Sequence, residues 1–265
     1  MFFGLTNLPS TFQTMMDTIF RELISTGEVI VYMDDILIAT RDDLAHHQQL
    51  VHQVLTKLEE HDLYLKPEKC VFEVPEVKYL GLIIGYGKIR MDPVKVGGVK
   101  GWKPPKNLTE LQGFMGFINF YRPFIKGFSK EAKPLNKLTK KDTPWEWTAE
   151  RQRAFEKLKA LVCEEPVLLM PKLENPFEME VDASSFTIGA TLSQQDERQR
   201  WHPIAYFSET LSKAERNYNV YDRELLTIVK SLRHWRVYLA GVPHQIVIHT
   251  DHANLLYWKE LWKIS

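Results

Sequence analysis

The stretch Tyr32-Met33-Asp34-Asp35 decides how this chain is interpreted. It lies between two apolar runs, residues 29–31 and residues 36–39, and this pattern predicts a strand, a turn and a second strand. Two adjacent carboxylates at the bend of an apolar hairpin are costly unless a cation lies beside them. Nucleotidyl transfer needs such a cation site, because two divalent metals hold the attacking and leaving oxygens. An acidic β-turn, where Asp is favoured in any case, is the alternative interpretation.

Length and composition indicate a globular protein of about two domains. The chain has 265 residues, and its hydrophobic content of 44% supports real cores. It has no apolar run of about 18 residues and no visible signal peptide, so we expect neither a membrane span nor secretion. Cys70 and Cys163 match no metal-binding spacing and are interpreted as reduced thiols of an intracellular protein.

The charge is distributed unevenly although the formal net charge is +0. Residues 1–90 hold 8 Lys/Arg and 13 Asp/Glu, whereas residues 91–148 hold 11 and 5, and residues 149–265 hold 15 and 16. A basic middle between two carboxylate-bearing ends suits a segment that binds a phosphate backbone beside two metal sites. A solvated, lysine-rich surface is the commoner meaning of such a run.

Periodicity and breaker residues predict helices and strands in alternation. Amphipathic helices are predicted over residues 10–26, 42–62, 108–119 and 149–164. Asn107 with Glu110 three residues later forms a capping-box pattern at the start of the third helix. Strands are predicted at residues 70–74 and 77–84, with a turn at residues 85–88, a loop at 97–106, breaks at Pro134 and Pro144, and a linker at 166–176.

From residue 177 onward the pattern changes to strands. Strands are predicted at residues 177–182, 186–194, 203–208 and 245–250, with helices at 219–239 and from 253. This β-β-β-α-β-α order fits an RNase H-like sheet.

Six motifs in this chain resemble the reverse transcriptase and RNase H domains of gypsy-class LTR retrotransposons. Three resemble the reverse transcriptase: residues 3–13, residues 79–83, which begin Tyr79-Leu80-Gly81, and residues 111–125. Three more resemble the RNase H domain, at residues 181–185, 221–226 and 249–252. Their order and spacing match that family from residue 1 to about residue 258.

The resemblance implies a first site built around Asp34 and Asp35 as catalytic metal ligands. It places Gln13 near the incoming nucleotide or template, Tyr32 and Met33 beside the primer end, and Leu80 and Gly81 in a primer-grip hairpin. A partly exposed helix glutamine is an equally good interpretation of Gln13, and a glycine in a hairpin is common without function. The cations that could contact phosphates are Lys100, Lys103, Lys106, Arg122, Lys126 and Lys130.

A second site is expected at Asp182, Glu224 and Asp251, which are both the catalytic residues and the metal ligands of the implied RNase H. Asp182 and Asp251 each end a predicted strand, and Glu224 falls on the helix between them. Carboxylates in such places can converge to hold two metals for phosphodiester hydrolysis. Taken singly, Asp182 could be a turn residue, Glu224 a solvated helix residue and Asp251 a helix N-cap.

The family supplies one further carboxylate before residue 1 and another beyond residue 265, so the chain is expected to be a fragment. Two Mg²⁺ or Mn²⁺ ions are expected per complete active site. The expected partners are an RNA template, a DNA primer, the RNA–DNA hybrid, deoxynucleoside triphosphates, and the rest of the polyprotein with its protease and integrase.

The expected architecture is a multi-domain α+β and α/β protein, a partial reverse-transcriptase palm and thumb followed by a truncated RNase H-like domain. The palm is predicted at residues 1–92, the thumb at 93–148, a connecting helix and linker at 149–176, and the RNase H-like domain at 177–265. The expected function is RNA-directed DNA polymerisation with RNase H activity. A catalytically inactive relic or domesticated fragment that binds nucleic acid is the alternative. A cellular RNase H-like binding module does not explain the Tyr32-Met33-Asp34-Asp35 hairpin.

Overall fold

The structure of the protein, a computed structural model, describes residues 8–40, 43–164 and 167–251. The chain forms two compact units, residues 1–80 and residues 81–265. Among the described residues, no helix combines the length and the apolar character needed to cross a bilayer. Cys70 and Cys163 are both free thiols, as expected.

The first unit packs three helices around an antiparallel hairpin. Its elements are α1 (Leu8–Ile19), α2 (Arg21–Ser25), β1 (Val29–Tyr32), β2 (Asp35–Ile38), α3 (Leu44–Glu60) and β3 (Glu76–Tyr79). The hairpin predicted from the apolar runs is confirmed, and Asp43 caps α3 by accepting a hydrogen bond from the His46 backbone N–H at 3.0 Å. The core joins one face of each helix to the inward side chains of β1, namely Met16, Phe20, Leu23, Val29, Val31, Leu50, Val54 and Leu58.

Three predictions for the first 85 residues were wrong in detail. The predicted helix over residues 10–26 is two helices, because the backbone leaves the helical geometry at the buried residue Phe20. Residues 70–74 form no strand; the positive φ of Glu73, 52°, interrupts an extended chain there. The strand predicted at 77–84 is broken at Leu80 and Gly81, where φ is 50° and 79°.

The second unit begins with a small antiparallel sheet and a helical cluster. Its first elements are β4 (Leu82–Gly85), β5 (Lys88–Met91), α4 (Pro93–Lys100), α5 (Leu108–Phe120), α6 (Phe128–Leu138), α7 (Ala149–Cys163) and β6 (Val167–Leu169). The strand β5 pairs with both β4 and β6. Apolar side chains of all four helices form one core, in which Leu111, Phe114, Ile118, Ala132, Leu135, Phe155, Leu158 and Val162 are fully buried.

A four-stranded mixed sheet completes the second unit. Its elements are β7 (Glu178–Ala183), β8 (Thr187–Gln195), β9 (Trp201–Thr210), α8 (Val220–His234), α9 (Arg236–Leu239) and β10 (Val247–His249). The strand order is β10-β7-β8-β9, with β10 parallel to β7 and the other pairs antiparallel. The element order predicted from residue 177 is confirmed as far as β10, and the helix predicted from residue 253 lies outside the described residues.

Several boundaries in the second unit differ from the predictions. Residues 97–100 are not loop but the end of α4, because Asp92 caps that helix and Pro93 occupies its first turn. Pro134 does not break the chain but lies inside α6, whose neighbouring Leu135 is fully buried. The predicted linker contains the strand β6, and the helix predicted over 219–239 is divided at Trp235. The Asn107 cap is confirmed, with Asn107 Oδ1 accepting from the Glu110 N–H at 2.9 Å.

A buried polar network joins α6 to the edge strand β9. The Ser129 N–H donates to Ser208 Oγ at 2.9 Å, and Ser129 Oγ donates to the Ser208 carbonyl at 2.9 Å. The Arg122 guanidinium donates to the same carbonyl and to Ser129 Oγ. Burial lowers the pKa of Arg122, and the charge of Glu209 acts in the opposite direction. The helical cluster and the mixed sheet are therefore held together by specific hydrogen bonds as well as by apolar packing.

We expect Ser129→Ala and Ser231→Ala to have different effects on stability although both serines are buried. Ser129→Ala removes one hydroxyl that both donates and accepts, and should lower the free energy of unfolding by about 1 to 3 kcal/mol. The Ser231 hydroxyl has no hydrogen-bond partner among the described residues, so Ser231→Ala should be neutral or stabilising. Urea denaturation followed by tryptophan fluorescence measures both, and equal losses would contradict the proposed role of the network.

Candidate functional site

The acidic stretch forms the tip of the β1–β2 hairpin. Tyr32 pairs with Asp35 across the hairpin, so that Met33 and Asp34 make a two-residue turn. Met33 has a φ of 54°, a value in the left-handed region that suits such turns but is uncommon for a residue other than glycine. Both Asp34 and Asp35 are exposed. Their carboxylate oxygens are therefore accessible to a cation from solvent.

Gln13 of α1 holds this turn in place. Its Oε1 atom accepts a hydrogen bond from the Met33 N–H at 2.6 Å, and its Nε2 atom donates to the Val31 carbonyl at 3.1 Å. The same Nε2 atom donates to Asp17 Oδ1 at 2.8 Å. The amide is thus engaged with the hairpin backbone, whereas the sequence led us to expect it near the nucleotide or template. A bond between residues 20 positions apart has no local signal in the sequence.

Tyr79, at the end of β3, is a further neighbour of the turn, and its place in the motif at residues 79–83 predicted no role for it in the site. Its hydroxyl is buried and has no hydrogen-bond partner among the described residues. Burial raises the pKa of Tyr79, and the charges of Asp35 and Tyr32 raise it further. The phenol therefore lies within electrostatic reach of the Asp35 carboxylate.

Leu80 and Gly81 lie in a tight turn of the expected primer-grip hairpin. Both have positive φ, and the Gly81 carbonyl accepts hydrogen bonds from the Asp92 N–H at 3.1 Å and from the Tyr121 hydroxyl at 3.3 Å. A Cβ atom at position 81 would lie 3.5 Å from the Tyr121 oxygen in a backbone conformation that favours glycine. Gly81 is therefore fixed by its backbone geometry and by hydrogen bonds within the second unit.

Four of the six expected phosphate-contacting cations fall into two groups. Lys100, Lys103 and Lys106 are exposed at the end of α4 and in the segment leading to α5. Arg122 lies apart from them, in the network with Ser129 and Ser208. The three lysines are accessible to a phosphate backbone, whereas the Arg122 guanidinium is engaged in protein contacts.

The second expected site lies where the parallel strands β7 and β10 end, and we call this end of the mixed sheet the carboxylate edge. Asp182 is near the end of β7, Asp251 follows the parallel neighbour β10, and Glu224 projects from α8. Glu224 is only 2% exposed; its Oε1 accepts from the Ala183 N–H at 3.2 Å, and its Oε2 accepts from the Thr250 hydroxyl at 3.4 Å. Burial raises the pKa of Glu224, and the charges of Asp251 and Asp182 raise it too. Asp182 and Asp251 are therefore close enough to Glu224 to disfavour its ionised form.

The donor set at this edge suits a hard divalent cation, because Mg²⁺ prefers carboxylate oxygens. The charges of Asp182 and Asp251 raise the pKa of Glu224, and a bound cation would relieve this repulsion. Within the described part of the chain, however, no group of three His, Cys, Asp or Glu side chains is close enough to coordinate one ion. The residue types fit the metal, and their spacing would have to tighten for all three to bind it.

Two protein families match separate parts of the chain. Residues 1–84 match the family described as reverse transcriptase (RNA-dependent DNA polymerase). Residues 147–248 match the family described as an RNase H-like domain found in reverse transcriptase. The chain is therefore similar to a reverse transcriptase in its first third and to an RNase H-like domain in its last part. The first match includes Asp34 and Asp35, and the second includes Asp182 and Glu224 and ends shortly before Asp251.

Relatives over nearly the whole chain are transposon polyproteins. The Tf2-3 and Tf2-7 polyproteins of Schizosaccharomyces pombe are each 38% identical to it over 254 residues, which is 96% of this chain and 19% of theirs. The chain thus spans about a fifth of the length of these curated relatives.

The foamy viral protease-reverse transcriptase has the same fold. Its complex with dsDNA aligns with a TM-score of 0.77 at 24% identity, over 99% of this chain and 53% of that chain. Its complex with an RNA/DNA hybrid aligns with a TM-score of 0.75 at 23% identity, over 98% of this chain and 35% of that chain.

Replacing Gln13 by alanine should loosen the acidic turn. The Met33 N–H would lose its acceptor, and local opening of the hairpin should become easier by about 1 to 3 kcal/mol. Hydrogen–deuterium exchange of residues 29–38 measures this change. Gln48→Ala is the matched control, since the one side-chain hydrogen bond of Gln48 among the described residues goes to the exposed Glu73 side chain at 2.7 Å. Equal exchange in the two variants would contradict the role of Gln13.

Glu224→Gln should raise the melting temperature at neutral pH. An acid with a raised pKa in the folded state is least favourable when ionised, so the substitution removes a cost that is present above the raised pKa. Below the ordinary value of 4.5 both states are protonated and the difference should vanish. A stabilisation of one kcal/mol corresponds to a rise of about 2 to 4 °C.

Glu215→Gln is a control that should change the melting temperature at neutral pH in the opposite direction. Hydrogen bonds from Lys230 and Ser212 lower the pKa of Glu215 to about 2, so its contribution to stability is present above 4.5 and is lost as the pH falls toward 2. This variant should melt at a lower temperature at neutral pH, and the difference should shrink on acidification. Thermal unfolding by circular dichroism between pH 3 and 8 tests both variants. Destabilisation by Glu224→Gln at neutral pH would show that the carboxylates do not repel each other.

Proposed function

We propose that this chain is part of a gypsy-class LTR retrotransposon polyprotein and acts in RNA-directed DNA synthesis and in hydrolysis of RNA in RNA–DNA hybrids. One observation carries the proposal. The exposed carboxylate pair of a hairpin turn precedes, in a single chain, a buried Glu224 whose ionisation is disfavoured by Asp182 and Asp251 at the edge of a second sheet. Polymerisation and hydrolysis of nucleic acids both depend on divalent cations held by carboxylates. The order of the two matched families along the chain supports the same assignment.

In the proposed polymerase site, Asp34 and Asp35 hold Mg²⁺ or Mn²⁺. When bound, two such ions polarise the phosphoryl oxygens and stabilise the charge on the attacking and leaving oxygens. Gln13 acts as a positioning residue through its bonds to the turn. Tyr32 and Met33, at the same tip, contact the primer end, and Leu80 with Gly81 forms the primer grip. Lys100, Lys103 and Lys106 bind backbone phosphates, and the contact of Arg122 with Ser208 supports a positioning role for that residue.

In the proposed RNase H site, Asp182, Glu224 and Asp251 hold the divalent cations. The two exposed aspartates present oxygens to solvent and substrate, while the buried Glu224 is oriented by the Ala183 N–H and the Thr250 hydroxyl. Fixed orientation of one ligand reduces the reorganisation needed when an ion binds. The partly exposed edge leaves room for one strand of a duplex to approach.

The predicted domains and partners belong to the same proposal. The palm would end at residue 92, the thumb at 148 and the connecting segment at 176. The partners would be an RNA template, a DNA primer, their hybrid, deoxynucleoside triphosphates and the protease and integrase of the polyprotein. The similarity to transposon polyproteins supports the polyprotein context, and the foamy viral complexes with dsDNA and an RNA/DNA hybrid support a nucleic-acid duplex as ligand.

A second candidate function is nucleic-acid binding without catalysis. It is supported by the spacing of the carboxylates, because no three ligand-type side chains in the described residues are close enough to hold one ion. The exposed Lys100, Lys103 and Lys106 would serve a binding protein equally well.

Primer extension on an RNA template, with Mg²⁺ or Mn²⁺, tests the proposed function. Asp34→Asn/Asp35→Asn should lower any extension at least about a hundredfold, since metal ligation contributes several kcal/mol to the transition state. The double substitution nearly preserves side-chain size and removes two charges. Asp42→Asn/Asp43→Asn removes two charges at the next pair of adjacent aspartates along the sequence and should leave extension within a few-fold.

The outcomes separate the two candidates. Extension that depends on Asp34 and Asp35 supports the polymerase. Binding of a labelled RNA–DNA hybrid without extension or hybrid cleavage supports the binding protein. A chain that folds but neither binds the hybrid nor acts on it would overturn both.

A further inference from the structure

An aromatic side chain is presented between cations beside the RNase H-like site. Phe186 lies in the turn between β7 and β8, four residues after Asp182, and its side chain is 47% exposed. The turn is well ordered by hydrogen bonds. Ser184 Oγ accepts from the Thr187 N–H at 2.9 Å, and the Phe186 carbonyl accepts from the Leu211 N–H at 2.8 Å. The position of the ring is therefore set by the backbone around it.

Two cations from different parts of the fold contact this ring. Lys133 Nζ of α6 is 3.7 Å from the ring centroid, and Arg216 Cζ, from the turn that leads into α8, is 5.6 Å from it. A cation over an aromatic face is attracted by the ring quadrupole. The ring thus gathers positive charge at one place, and we call Lys133, Lys137, Phe186 and Arg216 the basic–aromatic surface.

The cations of this surface repel one another. Burial lowers the pKa of Lys133, and so do the charges of Lys137 and Arg216, whereas Glu150 acts in the opposite direction. Among the described residues, no carboxylate forms an ion pair within 4.0 Å of Lys133, Lys137 or Arg216. Arg216 Nε donates to the Leu211 carbonyl at 3.0 Å, which leaves its charge uncompensated. Like charges held together without a close carboxylate favour the binding of an anion.

The location of the basic–aromatic surface indicates which kind of anion it binds. Its aromatic residue follows Asp182 on the same β7 segment, and Arg216 precedes the helix that carries Glu224. Three carboxylates alone would repel a polyanion, so a nucleic acid cleaved there needs cations close by to hold its backbone. A basic surface that adjoins an acidic catalytic edge fits a phosphodiester chain that crosses both.

We propose that the basic–aromatic surface binds the phosphate backbone of an RNA–DNA hybrid while the hybrid occupies the edge with Asp182, Glu224 and Asp251. This inference rests on the proposed function and names the substrate contacts outside the carboxylates. Lys133, Lys137 and Arg216 supply the charge. Phe186 holds Lys133 and Arg216 in place through its ring. The helix α6 thereby contributes to a site whose carboxylates all come from the mixed sheet and α8.

The test is binding of the whole chain to a fluorescein-labelled RNA–DNA hybrid of about 18 base pairs, measured by anisotropy at several salt concentrations. EDTA is present so that cleavage does not interfere. Lys133→Gln/Lys137→Gln/Arg216→Gln should weaken binding at least about tenfold. It should also reduce the slope of log K against log salt by about 2 to 3, since each lost phosphate contact contributes about 0.7 to 0.9.

A matched triple variant controls for net charge. Lys66→Gln/Lys69→Gln/Lys157→Gln removes the same three charges from exposed positions elsewhere and should leave the slope and the affinity nearly unchanged. Phe186→Leu keeps an apolar side chain and removes the aromatic face, so binding should weaken by about two- to fivefold.

The possible results are distinguishable. If the wild-type chain binds the hybrid and the two triple variants bind equally, the inference is wrong and the proposed function stands. If the triple variant loses affinity for a dsDNA of the same sequence but not for the hybrid, the assignment to the hybrid is wrong. If the wild-type chain binds neither duplex, the proposed function fails and the inference fails with it.

Discussion

Repulsion between neighbouring carboxylates is the constraint on which the arrangement of this protein depends. Ionised carboxylates cannot be buried together unless they are paired or hydrogen-bonded. At the hairpin the chain leaves both Asp34 and Asp35 in solvent and anchors the backbone instead, through Gln13. At the mixed sheet it buries only Glu224 and supplies it with two hydrogen bonds. Both arrangements leave the oxygens of two aspartates accessible to solvent.

In the second unit, polar contacts determine how the helical cluster packs against the mixed sheet. Arg122 and Ser129 belong to the helical cluster, and both bond to Ser208 on β9. Such a network is specific in geometry, because the buried groups have no other partners if the layers shift. The same docking brings Lys133 of α6 over Phe186 of the sheet. The position of Lys133 is in this way fixed relative to the strand end that carries Asp182.

The sequence predicted the regular elements and the acidic groups better than the contacts between them. The alternation of apolar residues around Asp34 and Asp35 was sufficient to place the hairpin, and the strand ends at Asp182 and Asp251 were sufficient to bring two carboxylates to one edge. Predictions from single residues failed where burial outweighed local preference, as for Pro134 beside the buried Leu135. The roles of Gln13 and Arg122 could not be predicted, since their partners are 20 and 86 positions away.

The hydrogen bonds between Ser129 and Ser208 have a consequence for biosynthesis. The two residues are separated by 79 positions, so a ribosome that adds about 5 to 20 residues per second takes about 4 to 16 s to deliver the partner. During that interval α6 and its helical neighbours can fold around their apolar core, while Arg122 and Ser129 remain hydrated. A translational pause after residue 138 would lengthen this exposure. In the nascent chain, Arg122 and Ser129 therefore lack their hydrogen-bond partner Ser208 until β9 has left the ribosome.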